Sequence, residues 1–120
     1  MDVAIIADDL TGAADSGVQL ARSGYRTAVA FRGASILPTE DLDAVAVDTD
    51  SRPLPAGFAA KRVLEAGHAV RDARIVYKKI DSTLRGQIPA ELAAALGKAG
   101  ATMAFSRPVA SRAVASSAGT

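Results

Sequence analysis

Val3-Ala4-Ile5-Ile6-Ala7-Asp8-Asp9-Leu10-Thr11-Gly12-Ala13-Ala14-Asp15-Ser16-Gly17 passes from a strand pattern to a helix pattern within fifteen residues. It opens on a short apolar run rich in β-branched side chains, the pattern of a strand buried on both faces. Over residues 13–23, Ala14, Val18 and Ala21 share one helical stripe, and Gly24 stands where a C′ residue belongs. Between strand and helix stand two aspartates. Thr11, or Asp9 itself, can accept from the first free N–H groups of the helix, which carry roughly half a positive charge. One carboxylate suffices as a cap, and a second beside it adds repulsion unless a cation, proton or donor offsets it. If Asp8 and Asp9 did no more than cap the helix, one of them would be superfluous.

Further along, Thr27-Ala28-Val29-Ala30-Phe31 reads as a second strand, reached through Gly24-Tyr25-Arg26. Residues 32–43, with Gly33 and Pro38, read as a surface connection with room for one helical turn. Residues 44–47 form a third strand, followed directly by Asp48-Thr49-Asp50-Ser51-Arg52-Pro53. Over residues 55–72 the spacing of Phe58, Ala59, Val63, Leu64, Ala66 and Val70 predicts an amphipathic helix. Lys61, Arg62 and Glu65 fall on its wet face, and Gly67 is a place for it to bend or split. A fourth strand over residues 74–80 runs into Asp81-Ser82-Thr83-Leu84-Arg85-Gly86. Lys78 and Lys79 point to opposite sides of that strand, so at least one of them is expected to snorkel into solvent. A helix over residues 89–98 and a fifth strand over residues 101–105 complete the pattern, with Pro89 suited to a first helical position. Residues 106–120 carry no apolar period and no acidic residue, and read as an irregular tail.

Strands alternating with helices imply right-handed crossovers and a three-layer α/β/α domain on a mainly parallel sheet of about five strands. The 120 residues suffice for one domain with a real core and not for two. Aromatic residues are only 4%, so Ala, Val, Ile and Leu must build that core. A net charge of +1 gives neither a nucleic-acid footprint nor an anionic-membrane surface. Without cysteine, disulfides and thiolate metal sites are excluded, a single histidine argues against a His-based zinc site, and no metal ligand is assigned. No apolar run is long enough to span a bilayer and Asp2 is wrong for a signal peptide, which leaves a cytoplasmic protein by default.

In such sheets ligands bind outside the carboxyl ends of the strands. Three polar clusters lie there, collecting Asp8, Asp9, Asp48, Asp50, Ser51, Arg52, Lys79, Asp81, Ser82 and Arg85 at one edge. Each has a plain explanation alone, as turn residue, cap or surface charge. Assembled from three segments they are costly without a ligand. Arg52 and Arg85 offer planar forks for a carboxylate or phosphate, and Lys79 a point charge. The aspartates can accept from sugar hydroxyls, and one of them can take a proton from an attacking hydroxyl. A small polyhydroxy acid satisfies both halves. No phosphate-binding glycine loop, dinucleotide fingerprint or nucleophile elbow is present.

At these motifs the chain resembles the N-terminal half of the four-carbon acid sugar kinases, which phosphorylate threonate, erythronate and 3-oxo-tetronate with ATP. The resemblance rests on Ile6-Ala7-Asp8-Asp9-Leu10-Thr11-Gly12-Ala13-Ala14-Asp15-Ser16-Gly17, Val47-Asp48-Thr49-Asp50-Ser51-Arg52 and Tyr77-Lys78-Lys79-Ile80-Asp81-Ser82-Thr83-Leu84-Arg85-Gly86. It covers residues 1–105 and implies an acid-sugar-binding domain there, with ATP and Mg²⁺ brought by a C-terminal nucleotide-binding domain absent from this chain. By the resemblance, Asp8, Asp9, Arg52, Lys79, Asp81, Ser82 and Arg85 line the sugar site, joined by Asp50 and Ser51. An arginine, Arg52 or Arg85, holds the carboxylate. Asp9 is the candidate base and Asp81 the alternative. After Phe105 the family continues with a Pro-Ala-x-Pro stretch and Gly-Arg-Thr, of which Ser106-Arg107-Pro108-Val109-Ala110-Ser111-Arg112 keeps an echo. Residues 106–120 are therefore read as a truncated or frameshifted end, and the fragment alone as inactive. Homo-oligomer formation is left open.

A signalling receiver domain is the rival from another class, with Asp8, Asp9, Asp48 and Thr83 in its outline. It lacks the lysine expected after strand five and leaves Arg52, Lys79 and Arg85 without a role. A Mg²⁺-dependent phosphohydrolase would space its aspartates by one residue, and a non-catalytic binding remnant differs from the kinase reading only in what lies beyond residue 120.

Overall fold

β1 (Val3–Ala7) runs through the middle of the sheet, buried along its whole length, with β3 (Ala44–Asp48) and β4 (Ile75–Lys79) parallel on either side. The computed structural model describes residues 1–31, 41–81, 84–99, 102–105 and 112–116. The remaining elements are α1 (Leu10–Arg22), β2 (Thr27–Ala30), α2 (Ala56–Ala69), α3 (Ile88–Ala99), β5 (Thr102–Phe105) and β6 (Arg112–Ser116). The sheet order is β2-β3-β1-β4-β6-β5. Alternate β1 residues feed two cores, as the two-residue period of a strand requires. Val3, Ile5 and Ala7 pack with Ala13 of α1 on one face, and Ala4 and Ile6 with Val63, Ala66, Ala94 and Ala95 of α2 and α3 on the other. Three layers result.

The direction of winding across the sheet reverses at β1: the first connection carries the chain out to β2, and the connection after β3 crosses to β4 on the opposite side. Right-handed crossovers then put α1 and α2 on opposite faces and open a crevice at the carboxyl end of β1. α1 starts at Leu10, earlier than its apolar stripe suggests, because Asp9 caps it. It ends in a Schellman motif: Gly24 (φ +96) donates to the Ala21 carbonyl and Tyr25 to that of Leu20, both at 3.1 Å.

Several expectations are corrected. Four strands are adjacent and parallel, not five, since β6 inserts antiparallel between β4 and β5. The stretch from 106 onward, expected to be irregular, thus holds a strand at 112–116, with residues 106–111 and 117–120 outside the described part. Pairing with the open edge of β4 draws on backbone groups and needs no apolar period. α2 runs unbroken through Gly67, because Ala59, Val63 and Ala66 anchor its inner face and outweigh a glycine cost of about 1 kcal/mol. Neither lysine of β4 is an exposed residue: Lys78 is 2% exposed and lies 3.1 Å from Glu91 of α3, and Lys79 is half-buried. Of the long connection read over residues 32–43, residues 32–40 lie outside the described part.

Candidate functional site

Asp9 leaves β1 in an extended conformation and its Oδ1 accepts from the Gly12 N–H at 2.9 Å, so of the two caps anticipated, Thr11 and Asp9, it is Asp9 that serves. Asp8 does something else. It is 5% exposed and receives Arg52 as a fork, with Nη2 3.0 Å from Oδ1 and Nε 3.2 Å from Oδ2. Such a bidentate charge-assisted pair fixes orientation as well as energy. The same Arg52 Nη2 stands 3.2 Å from Asp9 Oδ1 and 3.3 Å from Asp81 Oδ1. One guanidinium therefore gathers a carboxylate from each of two adjacent β1-end positions and one from the β4 end. The repulsion expected between Asp8 and Asp9 is offset by this cation.

Asp81 organises its own turn. Its Oδ2 accepts from the Arg85 backbone N–H at 3.0 Å and from Arg85 Nε at 2.7 Å, and its Oδ1 from Arg85 Nη2 at 3.2 Å. Leu84 (φ +60) and Gly86 (φ +89) let the chain fold back over Arg52. A Cβ on Gly86 would stand 2.8 Å from Asp8 Oδ2, so the close approach of this turn requires glycine. Ser82 and Thr83 lie outside the described residues.

Burial differs sharply between the cations: the Arg52 side chain is 20% exposed, the Arg85 side chain 63%. Hydrogen bonding to Asp8 raises the Arg52 pKa, and hydrogen bonding to Asp81 raises that of Arg85. Both stay charged. Three carboxylates face two guanidiniums here, with the Lys79 ammonium close to Asp9.

The other candidates are placed less centrally. Lys79 lies beside Asp9, since a Cβ on Gly12 would meet both side chains, and its Nζ donates to the Ile80 carbonyl at 3.3 Å. It also borders a cleft of about 820 Å³ along α1, lined by Ile5, Asp15, Gln19 and Tyr77. Asp50 stands outside the Arg52 cluster, 63% exposed, with Arg62 Nη1 4.0 Å from its carboxylate. Ser51 is fully buried and shares a 2.6 Å hydrogen bond with Thr49, whose hydroxyl donates to the Ala7 carbonyl at 2.9 Å. Asp48 is 7% exposed and accepts the Asp50 N–H at 2.7 Å, and burial pushes its carboxyl pKa up. Arg62, placed by the sequence on the wet face of α2, reaches back to the Asp50 carbonyl at 2.7 Å. Glu91, the buried partner of Lys78, gave no signal beyond being one acid on an apolar helix face.

This doubly wound arrangement, with a mixed-charge cluster at its switch point, is the class of α/β domain that takes a small polar ligand at the strand ends. A family description, "sugar-binding N-terminal domain", matches residues 3–118, and the chain belongs to that family. The match continues beyond Phe105 through most of the C-terminal stretch. A D-threonate kinase of Salmonella typhimurium is 46% identical over 99 residues, 80% of this chain and 23% of the relative. A D-erythronate kinase of Heliobacterium modesticaldum is 43% identical over 103 residues, 79% of this chain and 23% of the relative. The chain thus spans about a quarter of the length of these curated relatives. Among solved structures, a domain of unknown function from Bordetella bronchiseptica, a domain-swapped dimer with bound citrate, superposes with a TM-score of 0.76 at 39% identity. That likeness covers 82% of this chain and 26% of the other.

Strand order also removes the receiver outline, which requires β1 between β2 and β3, whereas here β1 lies between β3 and β4. Among the described residues no helix is long and apolar enough to cross a membrane.

Proposed function

We propose that this chain is the acid-sugar-binding part of an ATP-dependent kinase for four-carbon acid sugars of the threonate, erythronate or 3-oxo-tetronate type, working in the cytoplasm. The observation that carries the reading is the gathering of Asp8, Asp9 and Asp81 around Arg52 at the switch point, with Arg85 held beside them and open to solvent. Arg85, whose Nε and Nη2 hold Asp81, turns the exposed side of its guanidinium to the ligand carboxylate. Arg52 holds the three aspartates where they take the ligand hydroxyls, and Lys79 stands beside Asp9 as a further contact. Relatives named for threonate and erythronate, and a related structure crystallised with citrate, a hydroxy acid, support this choice of ligand.

Asp9, with a side chain 28% exposed against 6% for Asp81, is the better placed to take the proton of the reacting hydroxyl. Bound ATP with Mg²⁺ would supply the transferable phosphoryl group. The described residues do not fit it: no group of three or more acidic or histidine side chains is arranged there to hold a metal ion, and Asp8, Asp9 and Asp81 are committed to arginine. ATP and Mg²⁺ are therefore assigned to polypeptide beyond the quarter that the relatives share with this chain, and self-association to the whole protein.

Calorimetric titration with D-threonate, D-erythronate and 3-oxo-tetronate tests the reading. Saturable binding by the wild type, weakened about tenfold or more in Arg85→Met, is the expected outcome, since a lost charge-assisted hydrogen bond is worth about 1.5–3 kcal/mol. Absence of binding, or equal binding by the variant, rejects it. In a polypeptide that phosphorylates the acid, Asp9→Asn lowers kcat by about 10²–10⁴-fold with little change in Kd.

A further inference from the structure

Asp50 has a left-handed backbone (φ +49), sparsely populated for any residue but glycine and only tolerated by aspartate. Two side chains from different elements clamp it there. Asp48, the last residue of β3, accepts the Asp50 N–H at 2.7 Å, and Arg62, from the second turn of α2, donates to the Asp50 carbonyl at 2.7 Å and to that of Thr49 at 3.4 Å. Both ends of the residue are therefore held, although the Asp50 carboxylate itself is exposed. The reversal has an immediate effect downstream. The backbone N–H groups of Ser51 and Arg52 both come to donate to the Asp8 carbonyl, at 3.0 and 3.2 Å. That docking delivers the Arg52 guanidinium onto Asp8, Asp9 and Asp81.

We infer that Asp48 and Arg62 are positioning residues for Arg52: they touch no part of the charge cluster's ligand face, and act by locking the left-handed turn at Asp50. Without the lock, residue 50 relaxes to an ordinary backbone conformation and the Arg52 fork leaves the aspartates. The inference rests on the ligand reading above only where affinity is the readout.

The test is a thermodynamic cycle on the 120-residue chain. Asp48→Ala removes the acceptor, Asp48→Asn keeps it, and Asp50→Gly makes the left-handed turn accessible without a clamp. Two readouts are taken: hydrogen exchange of the Arg52 Nε–H by NMR, without ligand, and Kd for D-threonate. Asp48→Ala is expected to speed Nε–H exchange and weaken D-threonate binding, each about tenfold, while Asp48→Asn stays near the wild type. In the Asp50→Gly background, adding Asp48→Ala is expected to change either quantity by less than about twofold, because glycine no longer needs the pin. Arg62→Met is expected to behave like Asp48→Ala.

Equal losses in the Asn and Ala variants would mean that charge and not the hydrogen bond matters, and would overturn the inference. So would a full Asp48→Ala loss persisting on the glycine background, or an Arg52 Nε–H unmoved by any of these changes. If the wild type ignores D-threonate, D-erythronate and 3-oxo-tetronate alike, the ligand reading fails while Nε–H exchange still decides the positioning claim.

Discussion

Arg52 meets Asp8 fork to carboxylate across 44 residues of sequence, with Nη2 3.0 Å from Oδ1 and Nε 3.2 Å from Oδ2. The carboxylate end of this pair is nearly sealed from solvent. Removing Arg52 leaves three aspartates, two of them buried, without their common cation. Arg52→Met is therefore expected to lower the free energy of unfolding by about 2–4 kcal/mol, read by urea denaturation. Arg85→Met, at an exposed position, is expected to cost less than about 1 kcal/mol in the same assay while still weakening acid binding. Equal losses of stability would show that the two arginines do not divide the labour as described.

Gly86 and Gly24 share a left-handed backbone but not a neighbourhood. A Cβ at Gly86 meets Asp8 Oδ2 at 2.8 Å and Arg52 Cγ at 3.5 Å, whereas nothing lies within 4 Å of one at Gly24. Gly24→Ala is expected to cost only the backbone strain, about 1 kcal/mol. Gly86→Ala adds displacement of the Asp8–Arg52 pair and is expected to cost at least about 1 kcal/mol more, with chemical-shift changes at Arg52 that Gly24→Ala does not produce. Equal costs would place the turn further from the cluster than the structure does.

Behind the site, the Lys78–Glu91 pair ties β4 to α3 in the core, and Lys78 Nζ also donates to the Lys79 carbonyl at 2.8 Å. Burial pushes the Lys78 pKa down while Glu91 pulls it up. Lys78→Met alone strands a buried carboxylate and is expected to destabilise by about 3–5 kcal/mol. Lys78→Met with Glu91→Leu is expected to recover most of that loss, because apolar packing replaces a desolvated ion pair at little net cost. A double variant as unstable as the single would assign the pair a net stabilising role.

Asp48 gives stability a distinctive pH dependence. Its pKa is raised by burial from the ordinary 3.8, so between 3.8 and the folded value the native state holds more proton than the unfolded chain. Stability contributed by this group consequently falls as pH rises through that window, and above it a constant cost remains. Asp48→Asn removes the cost. Its stability relative to the wild type is expected to rise with pH through the window and then level off, measured by denaturant midpoints from acid to neutral pH. A flat difference would contradict the shift.

Much of the fold was legible because it depends on local signals. A buried apolar run before Asp8, a cap at Asp9 and a glycine at position 24 define strand, helix start and helix end within a few residues. Charge at strand ends pointed to Asp8, Asp9, Arg52, Asp81 and Arg85, which the structure brings together. What was not legible depends on register between distant segments. β6 enters the sheet by backbone pairing, Ser51 turns inward to Thr49, and Arg62 reaches the 49–50 turn from a helix face that solvent would equally have accepted. The reach of a long side chain is set by where its helix docks, and no spacing within the chain encodes that.

Whether these strand ends form an acid-sugar site is decided by a ¹H–¹⁵N correlation spectrum of the chain, titrated with D-threonate, D-erythronate and 3-oxo-tetronate. Saturable shifts centred on Asp9, Arg52, Asp81 and Arg85 with at least one of the three acids are the result expected. A dispersed spectrum that all three acids leave unchanged would contradict it.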